Sequence, residues 1–408
     1  MTGLAFAHFI GSDDVLILEQ SDEIGGWCKT VHQDGFVWDY SGHFFHFRDP
    51  DIEKLLVDQM PEGEVVSVAK DSRILYKGEF VDFPFQKNIH QLPHQEFLEC
   101  LHGLVFRPPA TDKSSFKDML FEKFGHPIAN KFLIPYNEKL YACDLDRLDR
   151  DAMGRFFPHA SLEDIVQNFV AADNRSYNST FTYPRNGAIM YVRALEKLVP
   201  EGSIALNEGL VSVNMNTKRA ITNAGREISF DFLISSAPLP AFLDLCDVPF
   251  DTSGLSWNQV QVFNLGFDTK GLPDVHWVYV PDPRVSFYRV GYYDNIMGDA
   301  RTSLYVELGF DRHDVPNPAD LLPVVLKDLR ATGLVMPHQQ LVSSHQVLLN
   351  PAYVHITEHS RKLYGDVSRQ LATRGVFSIG RYGGWTYCSI EDNVIEAREL
   401  ARMLAPFV

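Results

Sequence analysis

No apolar run in the chain is long enough to span a bilayer, and the start has neither the basic stretch nor the apolar core of a secretory leader, so no membrane partner is expected. Cysteine is scarce. Cys28, Cys100, Cys143, Cys246 and Cys388 are scattered, with no C-x-x-C pair, which argues against a disulfide framework or a metal site and fits a cytoplasmic location. Basic residues fall short of acidic ones, leaving a formal net charge of −16. A nucleic-acid partner is therefore not expected, although a small anion can still occupy a local basic pocket. Internal repeats and low-complexity segments are missing, as are a Ser-His-Asp arrangement and a carboxylate pair suited to hydrolysis. What remains is a chain of 408 residues, 45% apolar, enough for two or three domains with sizeable cores.

The stretch Val15 to Phe47 carries the densest pattern. Val15-Leu16-Ile17-Leu18 reads as a strand buried on both faces, and it ends on Glu19. In a dinucleotide fold a carboxylate at that place accepts hydrogen bonds from ribose hydroxyls; an ordinary α/β strand reads the same way. Gly25-Gly26 then lets the backbone pass close to a pyrophosphate, and Asp39-Tyr40-Ser41-Gly42-His43 follows a short strand, Phe36 to Trp38. This string resembles the FAD-binding half of flavoproteins such as amine oxidases and protoporphyrinogen oxidase. Those families open with a strand and a G-x-G-x-x-G turn. Here only the last glycine, Gly3, stands at the head of a helix drawn from Thr2 to Phe9. A start assigned at an internal methionine is the expectation, because loss of a central strand would expose its neighbours' edges. If the chain truly starts at Met1, FAD binding is in doubt.

Further along, Val65 to Phe83 alternates and breaks at Lys77-Gly78, as a hairpin does. Phe83-Pro84-Phe85-Gln86 follows, whose aromatics are core by default. From Leu92 to Val170 the spacing is helical. That segment includes Phe132 and Asn137 within FLIPYNEKLY, where the amide suits either a nucleobase edge or a plain helix cap. Arg155 after Gly154 reads by default as a solvated charge, although a closing phosphate clamp looks the same. In HWVYVPDPRVSFYR, alternation puts Trp277 and Tyr279 on one face, and Phe287 with Arg289 on one face of the partner strand. An arginine among large aromatics makes most sense lining a pocket for a stacked base and an anion. Val376 to Arg381 reads as a last buried strand, and Ser389 as the N-cap of a final helix from Ile390 to Leu404.

FPFQ, FLIPYNEKLY, NSTFTYPRNG, HWVYVPDPRVSFYR, Tyr353 and GRYGGWTY, taken in order, resemble the motifs of the UDP-galactopyranose mutase family, eukaryotic-type branch, over nearly the whole chain. The resemblance implies an α/β fold: a Rossmann-like FAD-binding domain without its first strand, a helical insertion and an antiparallel-sheet substrate domain. Residues 1–70, 184–240 and 360–408 would form the first, 88–175 the second, and 71–87 with 241–359 the third. It implies that Phe83, Phe85, Gln86, Phe132, Asn137 and Tyr279, beside Trp277, hold uridine, and that Arg155 and Arg289 take the diphosphate. Asn178, Tyr353 and Tyr387 would touch the diphosphate or sugar. His43 would lie on a moving loop beside the flavin, Arg381 against it, and Gly3, Glu19, Gly25, Gly26, Gly42 and Gly380 would complete the cofactor site.

The implied reaction interconverts UDP-galactopyranose and UDP-galactofuranose through an adduct of the sugar on N5 of reduced FAD, which NAD(P)H or another reductant must keep reduced. The protein then supplies positioning and charge neutralisation rather than a nucleophile. Phe83 and Tyr141 stand where that branch has tyrosine and tryptophan, and Asn186-Gly187-Ala188 replaces a glycine-richer turn. The sugar is therefore the least fixed part of the implication. Competing readings are an FAD-dependent oxidoreductase of the amine oxidase or protoporphyrinogen oxidase type, and a non-catalytic nucleotide-binding protein.

Overall fold

The computed structural model describes residues 1–109, 115–173, 179–314 and 316–408. Its largest element is a seven-stranded mixed sheet, in the order Leu341–Leu349, Asn258–Phe267, Ser303–Asp311, Arg289–Tyr292, Trp277–Tyr279, Ser72–Tyr76 and Glu79–Asp82. Neighbours run antiparallel except Trp277–Tyr279 beside Ser72–Tyr76, which is a parallel pair. Alternation gives the sheet two apolar faces. Leu75, Phe263, Val278, Val290 and Val306 pack on one side with Val325 and Leu329 of the helix Pro318–Ala331. Ile74, Tyr76, Trp277, Tyr279 and Tyr305 face the other way, into a core shared with the helical segment.

That segment runs through His94–Val105 and Phe116–Ile128, then a wide π-type turn, Ala129–Leu133, into Ile134–Tyr141. The helix kinks at Gly125, which sits at φ 74° and ψ 164° against the backbone of Gly103. Any side chain at Gly125 would overlap the Gly103 carbonyl. The carbonyls of Leu140 and Tyr141 are taken by Asn258 Nδ2 at 2.6 Å and His355 Nε2 at 2.9 Å. The helix end is thereby fastened to the sheet.

A second core lies between helices Thr2–Ile10, Ile189–Glu196 and Ile390–Leu404 and two parallel strand pairs. Ile17–Glu19 pairs with Ile204–Leu206, and Leu233–Ser235 with Val376–Ser378. Ser389 caps the final helix with a reciprocal box to Asp392, as its sequence indicates. Among the described residues no helix is long and apolar enough to cross a membrane.

Four local expectations are corrected. The strand after Val15 is Ile17–Glu19, half-buried rather than buried, with Leu16 41% exposed, because it has a ladder on one side only. Val65–Ala69 is not part of the hairpin; it pairs with Thr180–Pro184, and the hairpin proper is Ser72–Tyr76 with Glu79–Asp82. The last strand stops at Ser378, so Arg381 lies on a helical turn, Gly380–Gly383, entered by Gly380 at φ 82°. Phe287 does not share a face with Arg289. The regular strand begins only at Arg289, and Phe287 drops into the core on the far side of the sheet.

Asp39 joins the Phe36–Asp39 strand to the Asn186-Gly187-Ala188 turn. Fully buried, it accepts from Thr30 Oγ1 at 2.6 Å, Tyr183 OH at 2.7 Å and Ala188 N at 3.0 Å. Burial pushes its carboxyl up to about 6, against the pull of these donors. The folded state thus holds this proton more tightly than the unfolded chain, so Asp39 subtracts stability as pH rises from about 4 to 6. Between pH 4 and 7 the stability of Asp39→Asn should move in the variant's favour, relative to the parent, by up to about 3 kcal/mol. Urea denaturation at both pH values measures it, and a pH-independent difference would contradict the assignment.

Candidate active site

The side of the sheet that faces the helical segment carries an ion pair whose carboxylate is buried. Arg289 Nε and Nη2 donate to Glu307 Oε2 and Oε1 at 2.7 and 2.8 Å, and the two residues are direct ladder partners. Glu307 is 1% exposed and also accepts from Ser41 Oγ. Burial opposes both charges. Each nonetheless holds the other charged: Glu307 keeps the guanidinium well above its ordinary range, and Arg289 keeps the carboxyl below its own. The guanidinium carbon lies 6.0 Å from the Tyr288 ring and 5.9 Å from that of Tyr305.

Around this pair the aromatics form a connected lining. Phe85 stacks on Phe132 at 5.1 Å, Phe132 on Tyr136 at 5.3 Å, Tyr136 meets Tyr279 edge-on at 5.3 Å, and Tyr279 meets Phe83 at 4.9 Å. Trp277 Nε1 donates to Tyr279 OH at 2.7 Å, which confirms their common face. Gln86 and Asn137 are both buried in this lining. Each spends its amide nitrogen on a backbone carbonyl, Pro158 and Leu133 respectively, and leaves its carbonyl oxygen buried and unpartnered. Two unmet acceptors beside stacked rings suit a planar ligand that offers an N–H. Asn137 is thus no helix cap, since it bonds back within its own helix.

Tyr353 and Tyr387 stack at 5.9 Å, with Arg381 over them at 5.4 and 4.9 Å. Arg381 is fixed by Nη1 donating to Cys388 O at 2.8 Å. Phe156 touches Tyr387 at 5.4 Å, so the turn Gly154–Phe156 borders this group. Arg155 itself is turned to the final helix, where Nη2 donates to Asp392 at 2.7 and 2.8 Å. The structure therefore does not bring Arg155 into contact with Arg289. Asn178 lies outside the described residues.

The residues read as cofactor ligands gather where the second core meets the sheet. Gly25 and Gly26 sit at φ 124° and 58°, and a Cβ on Gly26 or on Gly3 would meet nothing within 4 Å. Glu19 ends its parallel strand with Oε1 accepting from Ser21 N at 2.9 Å. At the other parallel pair, a Cβ on Gly380 would lie 2.8 Å from Thr2 Oγ1 and 3.0 Å from Asn393 Oδ1, which joins that turn to the first and last helices. Open space beside left-handed glycines, a carboxylate at a strand end and the head of a helix form a donor set that fits a dinucleotide. Gly42 has a further reason to lack a side chain, because a Cβ there would overlap the Tyr305 hydroxyl. Burial pushes the His43 imidazole down to about 4; Glu307 resists this while Arg381 and Arg289 add to it, so the ring is neutral at pH 7. Among the described residues no three His, Cys, Asp or Glu side chains gather as a metal site.

A family model for flavin-containing amine oxidoreductases matches residues 1–402. The chain belongs to that family. Among solved structures, a reduced UDP-galactopyranose mutase is similar over 100% of this chain and 94% of its own, with TM-score 0.91 and 23% identity. A cyclohexylamine oxidase from Brevibacterium oxydans is similar over 99% and 96%, with TM-score 0.71 and 14% identity. A putrescine oxidase bound to putrescine gives 99% and 97%, TM-score 0.66 and 17% identity. At these identities the likeness is one of fold: the flavoenzyme fold expected from the motifs is the fold observed.

Sequence reasoning passed over Glu307, Ser41, Tyr136 and Tyr305. Glu307 carried a readable signal. In Ser303 to Leu308 the alternation places Leu304, Val306 and Leu308 on one face and Tyr305 with Glu307 on the other, the same mixture of charge and aromatics that marks Arg289. Removing either partner leaves a buried charge, so Glu307→Gln and Arg289→Met should each cost about 3–5 kcal/mol. The double variant should cost clearly less than their sum. Chemical denaturation of the cycle measures the coupling, and strictly additive losses would contradict it.

Proposed function

We propose that the protein is a sugar-nucleotide mutase interconverting UDP-galactopyranose and UDP-galactofuranose. The observation that carries the reading is Arg289, its side chain 20% exposed and held in place by the buried Glu307, beside an aromatic lining in which Gln86 and Asn137 leave two acceptors unmet. In this reading uracil lies among Phe83, Phe85, Phe132 and Tyr279, beside Trp277, and one of the two amide oxygens accepts from its single N–H at N3. Arg289 binds the diphosphate through Nη1 and the remaining Nη2 proton, the guanidinium edge that Glu307 leaves free.

Arg155 is the second phosphate ligand, reached by exchanging Asp392 for the substrate. Gly154 at φ 49° gives its turn a backbone that can swing. Tyr353, Tyr387 and Asn178 touch the diphosphate or sugar, with Arg381 behind the two tyrosines on the flavin side. The two arginines stabilise the leaving diphosphate as charge builds on it, and neutral His43 neither protonates that group nor adds charge beside the flavin. FAD is the cofactor, held by Gly3, Glu19, Gly25, Gly26, Gly42 and Gly380; when bound and reduced it supplies the nucleophile for the anomeric carbon. NAD(P)H or another reductant keeps it reduced. The reaction is redox-neutral overall and calls for no pocket for a hydride-donating amine.

Dithionite-reduced, FAD-supplemented protein should convert UDP-galactofuranose to UDP-galactopyranose. Bound flavin without turnover would instead favour another sugar nucleotide or an oxidase. UDP binding by calorimetry should weaken about tenfold to a hundredfold in Arg289→Lys, which keeps the charge but loses the paired donors. Unchanged affinity would remove the diphosphate from this site.

A further inference from the structure

Lys139 belongs to the helix Ile134–Tyr141 but spends its charge on the sheet. Its Nζ donates to the carbonyl oxygens of Val280 at 3.0 Å, Asp282 at 2.9 Å and Val285 at 2.9 Å, and to that of Phe287. All four belong to the connection between strands Trp277–Tyr279 and Arg289–Tyr292. An ammonium has three donors, so four converging carbonyls share them, as they would share a bound monovalent cation. Without a cation the oxygens of Val280, Val285 and Phe287 would face that of Asp282, which keeps a backbone donor in Val285 N at 3.2 Å, and the converging dipoles would repel one another.

Burial pushes the Lys139 ammonium down to about 7, and Asp282 and Asp328 oppose that shift. The geometry selects the charged form, because a neutral amine would set its lone pair against at least one oxygen. Nothing else in this connection supplies a fixed charge from the helical side. Arg284 pairs with Asp282 within the loop itself, and Asp328 Oδ2 accepts from Ser286 N at 2.8 Å from the opposite face.

The loop ends on the two residues that matter most to the site. Tyr279 and Arg289 close it as direct antiparallel partners, while Asn137 lies two residues before Lys139 on the helix. We infer that Lys139 is a positioning residue whose ammonium serves as a built-in monovalent cation, fixing the 280–287 connection so that Tyr279 and Arg289 stand in register with Asn137. The inference rests on the sugar-nucleotide reading only for what the register serves. The carbonyl cage stands independently of it. A plain structural lysine would matter through its packing; this one matters through charge at a point.

The test uses Lys139→Ala and Lys139→Met in the full chain, with UDP affinity by calorimetry and thermal unfolding as separate readouts. Lys139→Met, which keeps the packed length and loses the charge, should weaken UDP about tenfold or more. In Lys139→Ala, n-propylammonium or potassium should restore UDP affinity and raise the melting temperature, and choline at the same ionic strength should not. Wild-type affinity in Lys139→Met, or equal effects of n-propylammonium, potassium and choline, overturns the inference. If the parent protein binds no UDP, the sugar-nucleotide reading fails, and the melting temperature of Lys139→Ala with each cation still decides the cage. Should neither neutral variant fold, Lys139→Arg keeps the charge but its planar fork cannot meet four converging oxygens, and it should lose UDP affinity at least about threefold. Parent-like affinity in that variant also overturns the inference.

Discussion

A carboxylate buried in the middle of a sheet has to be neutralised, and in this protein that requirement organises the candidate site. Glu307 lies on the inner strand Ser303–Asp311, 1% exposed, where an unpaired negative charge would cost several kcal/mol. Arg289 on the neighbouring strand meets it with two parallel hydrogen bonds, and Ser41 supplies a third donor from the loop that also carries His43. One ion pair therefore ties the sheet to the loop that leads from the first flavin motif. On the proposed reading, a ligand phosphate arriving at Arg289 would find a guanidinium already oriented and largely shielded from water, so little reorganisation would be left to be done on binding.

The same logic extends to the helical side. The lining of Phe85, Phe132, Tyr136 and Tyr279 is built half from helix and half from sheet, so its shape depends on how the two are joined. The joins are polar. Asn258 and His355 take the last helical carbonyls, and Lys139 takes four carbonyls from the sheet's own connection. Apolar packing alone would let the helix slide; directional bonds to backbone atoms fix its register.

How much of this the sequence carries can be read residue by residue. Helices with strong caps and periodicity, such as Ile390–Leu404 behind Ser389, are legible because local chemistry decides them. Trp277 and Tyr279 on one face follow from simple alternation, as does the pairing of their strand with that of Arg289. Phe287 breaks the pattern, because the chain leaves strict alternation before Arg289 and a two-residue period has no way to encode where regularity starts. Alternation joins Val65–Ala69 to the nearer strand, whereas its partner lies more than a hundred residues away at Thr180–Pro184. Long-range pairing of this kind is a tertiary choice. Asp39 and Lys139 are similar cases: their roles are set by partners that assemble only in the fold.

Arg155 shows how a site of one charge can exist on a chain of the other. The protein carries a net −16, yet its arginines at the site are partly balanced in place, Arg289 by Glu307 and Arg155 by Asp392. The two balances differ in kind. Glu307 is buried, has three donors and cannot leave without stranding a charge, so any anion at Arg289 must add to the pair rather than replace it. Asp392 has other obligations that it keeps when Arg155 departs, since it closes the capping box with Ser389 and also pairs with Arg48 at 2.7 Å. Arg155, about one-third exposed, leaves a carboxylate that is 24% exposed and retains its other partners. The cost of releasing it is correspondingly small. Of the two arginines, one is therefore fixed and the other more readily released, which is the division of labour that the proposed binding and release of a diphosphate would require.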